Sequence, residues 1–279
     1  MKLDYNFHSH TTRCGHAGGL DEHYVQSAIL AGFKHMGFSD HAYILNYEEK
    51  GTRMNQSLFP DYLESVHHLQ EKYKDQIDIK IGLEAEYIPM MIDEYKRLLT
   101  SDTLDYLIVG QHMHLISPTD VTSYFRLGDE KGLILYIDDL IKAIDSQVFT
   151  YIAHPDLFAY FYQRSDDTLA YHIRRLLDKV KEKDMIIELN ISKLANNIRL
   201  GRDMFYNAAF PNFMFWDLAG EYGVKVALGL DAHDPHAYLD SPIEWAKEFI
   251  KEKHLNVLTQ EEIKARMLEI KTNLKQKAE

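Results

Sequence analysis

Residues 3–16 read LDYNFHSHTTRCGH. A short aromatic and apolar run, Leu3–Phe7, has strand character and leads straight into His8 and His10, with His16 six residues further on. In extended chain, residues i and i+2 project to the same side, so His8 and His10 can grip one ion while Ser9 points elsewhere. The reading of the whole chain turns on whether the later strands end in the same way.

They do. Further strand candidates are 35–39, 77–87, 106–110, 149–153, 185–190 and 225–230, each followed by an amphipathic stretch with helical spacing. Strand two runs into Asp40 and His41, and strand three carries Glu84. Strand four ends in His112 and His114, strand five in His154, strand six in Asn190 and Ser192, and strand seven in Asp231 and His233. Seven strand–helix units predict a parallel α/β architecture. An open sheet would spread these polar groups along an edge. A barrel gathers them at one mouth, where active sites of such folds are built. The expected fold is therefore α/β, a TIM-like barrel with a metal site at its C-terminal mouth.

A single HxH pair is a weak signal, and so is a lone SDH or AHPD. Metal-competent groups at the end of strand after strand are a strong one, because imidazole and carboxylate are the usual ligands of zinc, iron and manganese. A zinc finger of the Cys₂His₂ type is excluded by the single cysteine, Cys14, and no HExxH helix is present. Cys14 itself reads as an idle thiol. His67, His68, His172 and His254 lie in helical patterns and are expected in solvent, and His23 and His35 are read as structural.

The formal charge of −12 argues against wrapping a nucleic-acid backbone. No apolar stretch reaches the length of a signal peptide or a membrane span. One cysteine allows no internal disulfide. A cytoplasmic protein, monomeric or a small homo-oligomer, with no nucleic-acid or membrane partner, is the expectation. Residues 42–59 form a long connection, read equally as a lid or as a surface excursion.

Taken in order, HxH, His16, SDH (39–41), GLEAE (82–86), GQH (110–112), AHPD (153–156) and GLDAH (229–233) resemble the PHP (polymerase and histidinol phosphatase) family, most closely its stand-alone histidinol-phosphatase type. The resemblance runs from Leu3 to about Pro242. It implies a single domain over residues 1–279, a distorted (β/α)₇ barrel holding two to three divalent ions, zinc, manganese or iron. It assigns His8, His10, Glu84 and Asp231 to a first ion. Glu84 would bridge to a second, completed by His112 and His154, while His16, His41 and His233 would hold a third. Asp40 would act beside Glu84 and Asp231 in catalysis by orienting His41 or another ligand.

The implied activity is that of a metal-dependent phosphomonoesterase, a hydrolase of a small phosphorylated metabolite, using a hydroxide that bridges the ions. Histidinol phosphate, from histidine biosynthesis, is the first candidate substrate. A nucleotide, a sugar phosphate or phosphotyrosine is the alternative within the same chemistry. A structural or partner-binding module is the alternative outside it, and retention of all nine ligand positions speaks against that. The family often shows a segment like NTSGLR after strand six. Here it is NISKLANNIR (190–199), which keeps Asn190 and Ser192 but places Lys193 and Ala195 where Gly and Arg are expected. Candidate substrate and phosphate contacts are therefore Arg164, Asn190, Ser192, Lys193 and Arg199, with His114 and His236 on mouth loops. Lys is not equivalent to Arg at a bidentate phosphate site.

Overall fold

The computed structural model describes residues 4–49, 51–117, 120–191, 211–241 and 243–278. Strands β1 (Tyr5–Asn6), β2 (His35–Phe38), β3 (Asp78–Ala85) and β4 (Tyr106–Val109) lead into a hairpin of β5 (Met113–Ser117) and β6 (Asp120–Ser123). Then follow β7 (Tyr151–Ile152), β8 (Ile186–Asn190), β9 (Lys225–Gly229) and β10 (Asn256–Val257). All but the hairpin join one parallel sheet in the order β1-β2-β3-β4-β7-β8-β9-β10. Helices α1 (Asp21–Leu30), α2 (Phe59–Tyr73), α3 (Ile92–Thr100), α4 (Asp129–Ser146), α5 (Asp167–Glu182) and α6 (Phe213–Tyr222) fill the crossovers. After β9 come α7 (His236–Leu239), α8 (Ile243–Glu252) and α9 (Gln260–Ala278).

The strands are buried on both faces, as a parallel sheet enclosed by helices requires. In β3, Ile79, Ile81, Leu83 and Ala85 are buried and so is Glu84 between them. Tyr106 fills the interior below the mouth, its hydroxyl donating to the carbonyls of Phe7 (2.6 Å) and Phe38 (3.2 Å).

The ring closes between its first strand and β9, and it closes unusually. At the top, Ser9 bridges Ala232, with His10 N donating to Ala232 O at 2.9 Å and Ala232 N to His8 O at 3.1 Å. Lower down, side chains replace the ladder. Asn6 Oδ1 accepts from Leu230 N (2.9 Å), and the Tyr5 hydroxyl accepts from Leu228 N (3.2 Å) while donating to Leu258 O (3.1 Å). The short β10 wedges in beside β9 at the base.

The barrel expectation thus holds with two corrections. An eighth parallel strand, β10, joins the seven expected; two residues without apolar periodicity carry no readable signal. The segment past β4, read as loop, forms the β5–β6 hairpin. His172 is buried rather than solvated, against Arg175 Nη1 at 2.9 Å. The last helix lies outside the ring and buries Ile263, Met267, Ile270 and Leu274 along one stripe against α3. Among the described residues, no helix is long and apolar enough to cross a membrane.

Asn6→Ala tests the seam. It removes an acceptor from Leu230 N and donors to Ser9 Oγ (2.9 Å) and the Tyr238 hydroxyl (3.0 Å), all buried. Leaving those groups unpaired costs about 2–4 kcal/mol of unfolding free energy, read from a urea melt at constant m-value.

Candidate metal centre

Strands β1 to β4 and β7 to β9 each present a polar group at or just past the C-terminal end, and the ring brings these groups together. Glu84 is the hub. Its Oε2 lies 3.0 Å from His41 Nδ1, 3.4 Å from His10 Nε2 and 3.5 Å from His8 Nε2. Its Oε1 is 2.8 Å from His154 Nε2 and 3.8 Å from His112 Nε2. Asp231 Oδ1 faces His10 Nε2 at 3.0 Å, His233 Nδ1 at 3.2 Å and His8 Nε2 at 3.5 Å. His233 and His16 meet through their Nε2 atoms at 2.9 Å.

Space for this packing is made by backbone. A Cβ on Gly110 would fall 1.8 Å from Glu84 Oε1, so the glycine of GQH is required by the neighbouring carboxylate. His154 and Asp231 sit at φ of 31° and 46°, a region that costs non-glycine residues of order 1–3 kcal/mol and recurs at functional sites.

A cation fits this arrangement. His8 Nε2, both ring nitrogens of His10 and Glu84 Oε2 are buried without a hydrogen-bond partner, although carboxylate oxygens lie 3.0–3.6 Å away. Buried unpaired groups of this kind cost about 1–3 kcal/mol each, which a shared cation offsets. Clusters whose ligand atoms all lie within 4.8 Å of one another are His8–His10–Glu84, His8–His154–Asp231, His41–Glu84–His112, His16–His41–His233 and His10–Cys14–His233. All nine expected ligand positions fall in these clusters. Clustering on this scale points to use of divalent metal.

The charges follow the geometry. Burial alone would raise the Glu84 carboxyl, but the imidazoles of His41, His8 and His112 hold it well below its usual range. Burial lowers His10, and the carboxylates of Asp231, Asp40 and Glu84 outweigh it, raising the ring to about 9. For His41, burial and the neighbouring imidazoles of His10, His112 and His233 prevail over Glu84, and it stays neutral, as a ligand must be. Burial pushes the Cys14 thiol up to about 12, and it donates to Thr11 O at 3.1 Å, in keeping with an inert thiol.

Three supporting carboxylates escaped the sequence reading. Glu188 on β8 accepts from His8 Nδ1 (2.8 Å) and from His154 N (3.1 Å). Glu86 accepts from His112 N (2.8 Å) and lies 3.1 Å from His112 Nδ1. Asp139 on α4 holds His114 Nδ1 at 2.6 Å and the Tyr124 hydroxyl at 2.8 Å. For the first two a signal existed: Glu86 and Glu188 stand two residues from Glu84 and Asn190, on the same strand faces.

The remaining candidates divide. Asp40 accepts from the Thr11 hydroxyl and from His41 N (2.8 Å), and its Oδ1 is 3.6 Å from His10 Nδ1. Asn190 donates to Asp231 Oδ2 at 3.0 Å. Arg164 stacks on Tyr162 and lies 3.7 Å from Asp166. His236 lines a groove with Gly19, His23 and Gln26 and belongs to none of the clusters above. Ser192, Lys193 and Arg199 lie outside the described residues.

A family model described as the PHP domain matches residues 6–192, and the chain belongs to that family. Asp231 and His233 come from beyond the matched span. The chain is 26% identical over 233 residues to a Deinococcus radiodurans protein described as "Probable histidinol-phosphatase", covering 82% of this chain and 85% of that one. With the histidinol-phosphatase of Lactococcus lactis it shares 25% identity over 242 residues, covering 83% and 84%. The crystal structure of the Lactococcus lactis histidinol phosphate phosphatase with zinc, L-histidinol and phosphate has the same fold: TM-score 0.66, 19% identity, 91% of this chain and 95% of that chain.

Glu188→Gln tests the support of His8. The amide loses the charge that fixes the imidazole with its proton on Nδ1, so zinc affinity is expected to fall 10–100-fold in a competitive chelator titration.

Proposed function

We propose that this chain is a metal-dependent phosphomonoesterase that hydrolyses histidinol phosphate to histidinol and phosphate. The observation that carries the reading is the buried, unpartnered set of His8 Nε2, His10 Nε2 and Glu84 Oε2, which converge at the barrel mouth. Family membership and the named relatives support it. The proposed ligand assignment is the one the family resemblance implies: His8, His10, Glu84 and Asp231 for one ion, Glu84, His112 and His154 for a second, His16, His41 and His233 for a third. The clusters His8–His10–Glu84 and His16–His41–His233 support the first and third, while Glu84 and His112 group with His41 rather than with His154. Zinc, manganese and iron all suit this donor set.

Bound there, divalent ions supply Lewis acidity, which makes a water nucleophilic near neutral pH and neutralises charge on the phosphoryl oxygens. The chain's own residues do the positioning. Glu188 and Glu86 fix the tautomers of His8 and His112 so that each presents Nε2 to the centre. Asn190 occupies Asp231 Oδ2 and leaves Oδ1 for the His8–His10 side. Asp40 braces the turn that carries His41. Glu84 and Asp231 together would offset only part of the charge of two or three bound ions, so the ligand-lined mouth would be locally cationic although the protein carries −12. Specificity for the organic part of the substrate is assigned to the segments that follow β7 and β8 in the chain, with Arg164, Ser192, Lys193 and Arg199, and to His114 on the hairpin.

Glu84→Gln is expected to lower kcat at least ~10³-fold, because an amide cannot serve two ions as a carboxylate does. Circular dichroism should show the barrel retained. Near-wild-type turnover with full metal content would refute the bridging role.

On substrate, histidinol phosphate is expected to exceed p-nitrophenyl phosphate at least ~10²-fold in kcat/KM, since contacts to the amino and imidazole groups can strengthen in the transition state. Equal rates on the two esters, with better turnover of another phosphomonoester, would reassign the substrate and leave the chemistry standing.

A further inference from the structure

We infer that the connection between β2 and α2 is a strap that positions the two outermost side chains of the metal centre, His16 and His112. The inference rests on the metal-centre reading above. Of the nine candidate ligands, His16 alone is exposed, and the His112 side chain is 30% exposed. His16 lies ten residues past the end of β1 and His112 three residues past the end of β4, so their placement depends on what packs against those segments.

The two feet of the connection are fastened at the mouth. Residues 42–44 are buried directly after His41, and the chain returns at Arg53 and Met54, both buried, with Met54 N donating to His41 O at 3.1 Å. Arg53 Nη2 donates to Glu86 Oε1 at 3.2 Å, and Nη1 reaches Ala42 O at 3.4 Å. Glu86 in turn holds both the backbone and the Nδ1 of His112. A buried guanidinium from the strap therefore secures the carboxylate that aims one outer imidazole. Without Arg53, Glu86 would be a buried charge with only His112 and backbone N–H groups to balance it.

The strap's tip reaches the other outer imidazole. Gly15, at φ +85°, packs so closely on Gly51 that a Cβ would lie 2.6 Å from the Gly51 Cα and 3.1 Å from its nitrogen. Gly15 is the residue before His16. Arg13 ties the near end of the same turn to Asp21 and Asp61, both at 2.7 Å. The far end, where His16 sits, is backed by Gly51. One segment thus touches the supports of both imidazoles, and Gly51 and Arg53 act as positioning residues.

The test compares metal retention, measured as ions per chain after timed dialysis against a fixed chelator, in full-length wild type, G15A, G32A, R53Q, E86Q and the R53Q/E86Q pair. Gly32, at φ +86° with open space around it and remote from the strap, controls for the strain of alanine at positive φ. The expected result is about one ion fewer in G15A than in G32A or wild type. R53Q and E86Q should each release metal at least ~10-fold faster, and the pair should do no worse than the worse single variant, as serial supports require. Equal retention in G15A and G32A overturns the His16 half, and wild-type release rates in R53Q overturn the His112 half. If G15A fails to fold, G51A (φ +80°, open space) replaces it against G32A, and equal retention in those two overturns the His16 half. A wild-type protein that holds no metal overturns the metal-centre reading itself, and this inference with it.

Discussion

The structure is organised around one buried carboxylate. Glu84, on a strand enclosed on both faces, has four imidazoles within 3.5 Å and a fifth at 3.8 Å. A lone carboxylate in that position would be costly to bury, and five neutral rings alone would leave their lone pairs unanswered. Together they define a pocket whose negative charge and free lone pairs suit a cation. The glycine at 110, the strained backbone at His154 and Asp231, and the supporting acids Glu86 and Glu188 are all ways of keeping that cluster packed.

On the proposed function, the supporting acids let an acidic protein handle an anionic ester. Each lies one layer behind an imidazole and fixes which nitrogen faces the centre, so its negative charge is applied to the ligand rather than to the substrate. The layering also separates stability from chemistry. The apolar residues of β3, β4 and β8 hold the ring together, and the imidazoles and carboxylates of the candidate metal centre occupy its upper rim.

Much of this was readable from the sequence because it is written in a simple code. Strand-length apolar runs ending in His, Asp or Glu report both the parallel topology and the direction in which the side chains leave it. What the code could not carry is equally specific. β10 is two residues long and identifiable only by its pairing with β9. Glu86 and Glu188 stand at the right spacing, but a second carboxylate on a strand face reads the same whether it touches a ligand or a helix. Asp139 reaches His114 from the face of α4, a long-range contact invisible to local pattern. His172 looks solvated by helical spacing and is buried because α4 and α5 pack together. The strap's role depends on Arg53 folding inward, which a charged residue in a long loop does not announce.

The way the ring is closed has a consequence for the order of assembly. Neighbouring parallel strands pair across single crossovers, whereas the seam joins Asn6 to Leu230, a sequence separation of 224 residues. Closing so long a loop carries the largest entropic cost of any pairing in the ring, so the seam is the natural last step of folding. His8 and His10 stand on one lip of that seam, and Asp231 and His233 on the other. On the ligand set proposed above, a nascent or partly unfolded chain therefore lacks Asp231 and His233 from its cradle, and an ion bound across the seam would latch the molecule shut from the inside.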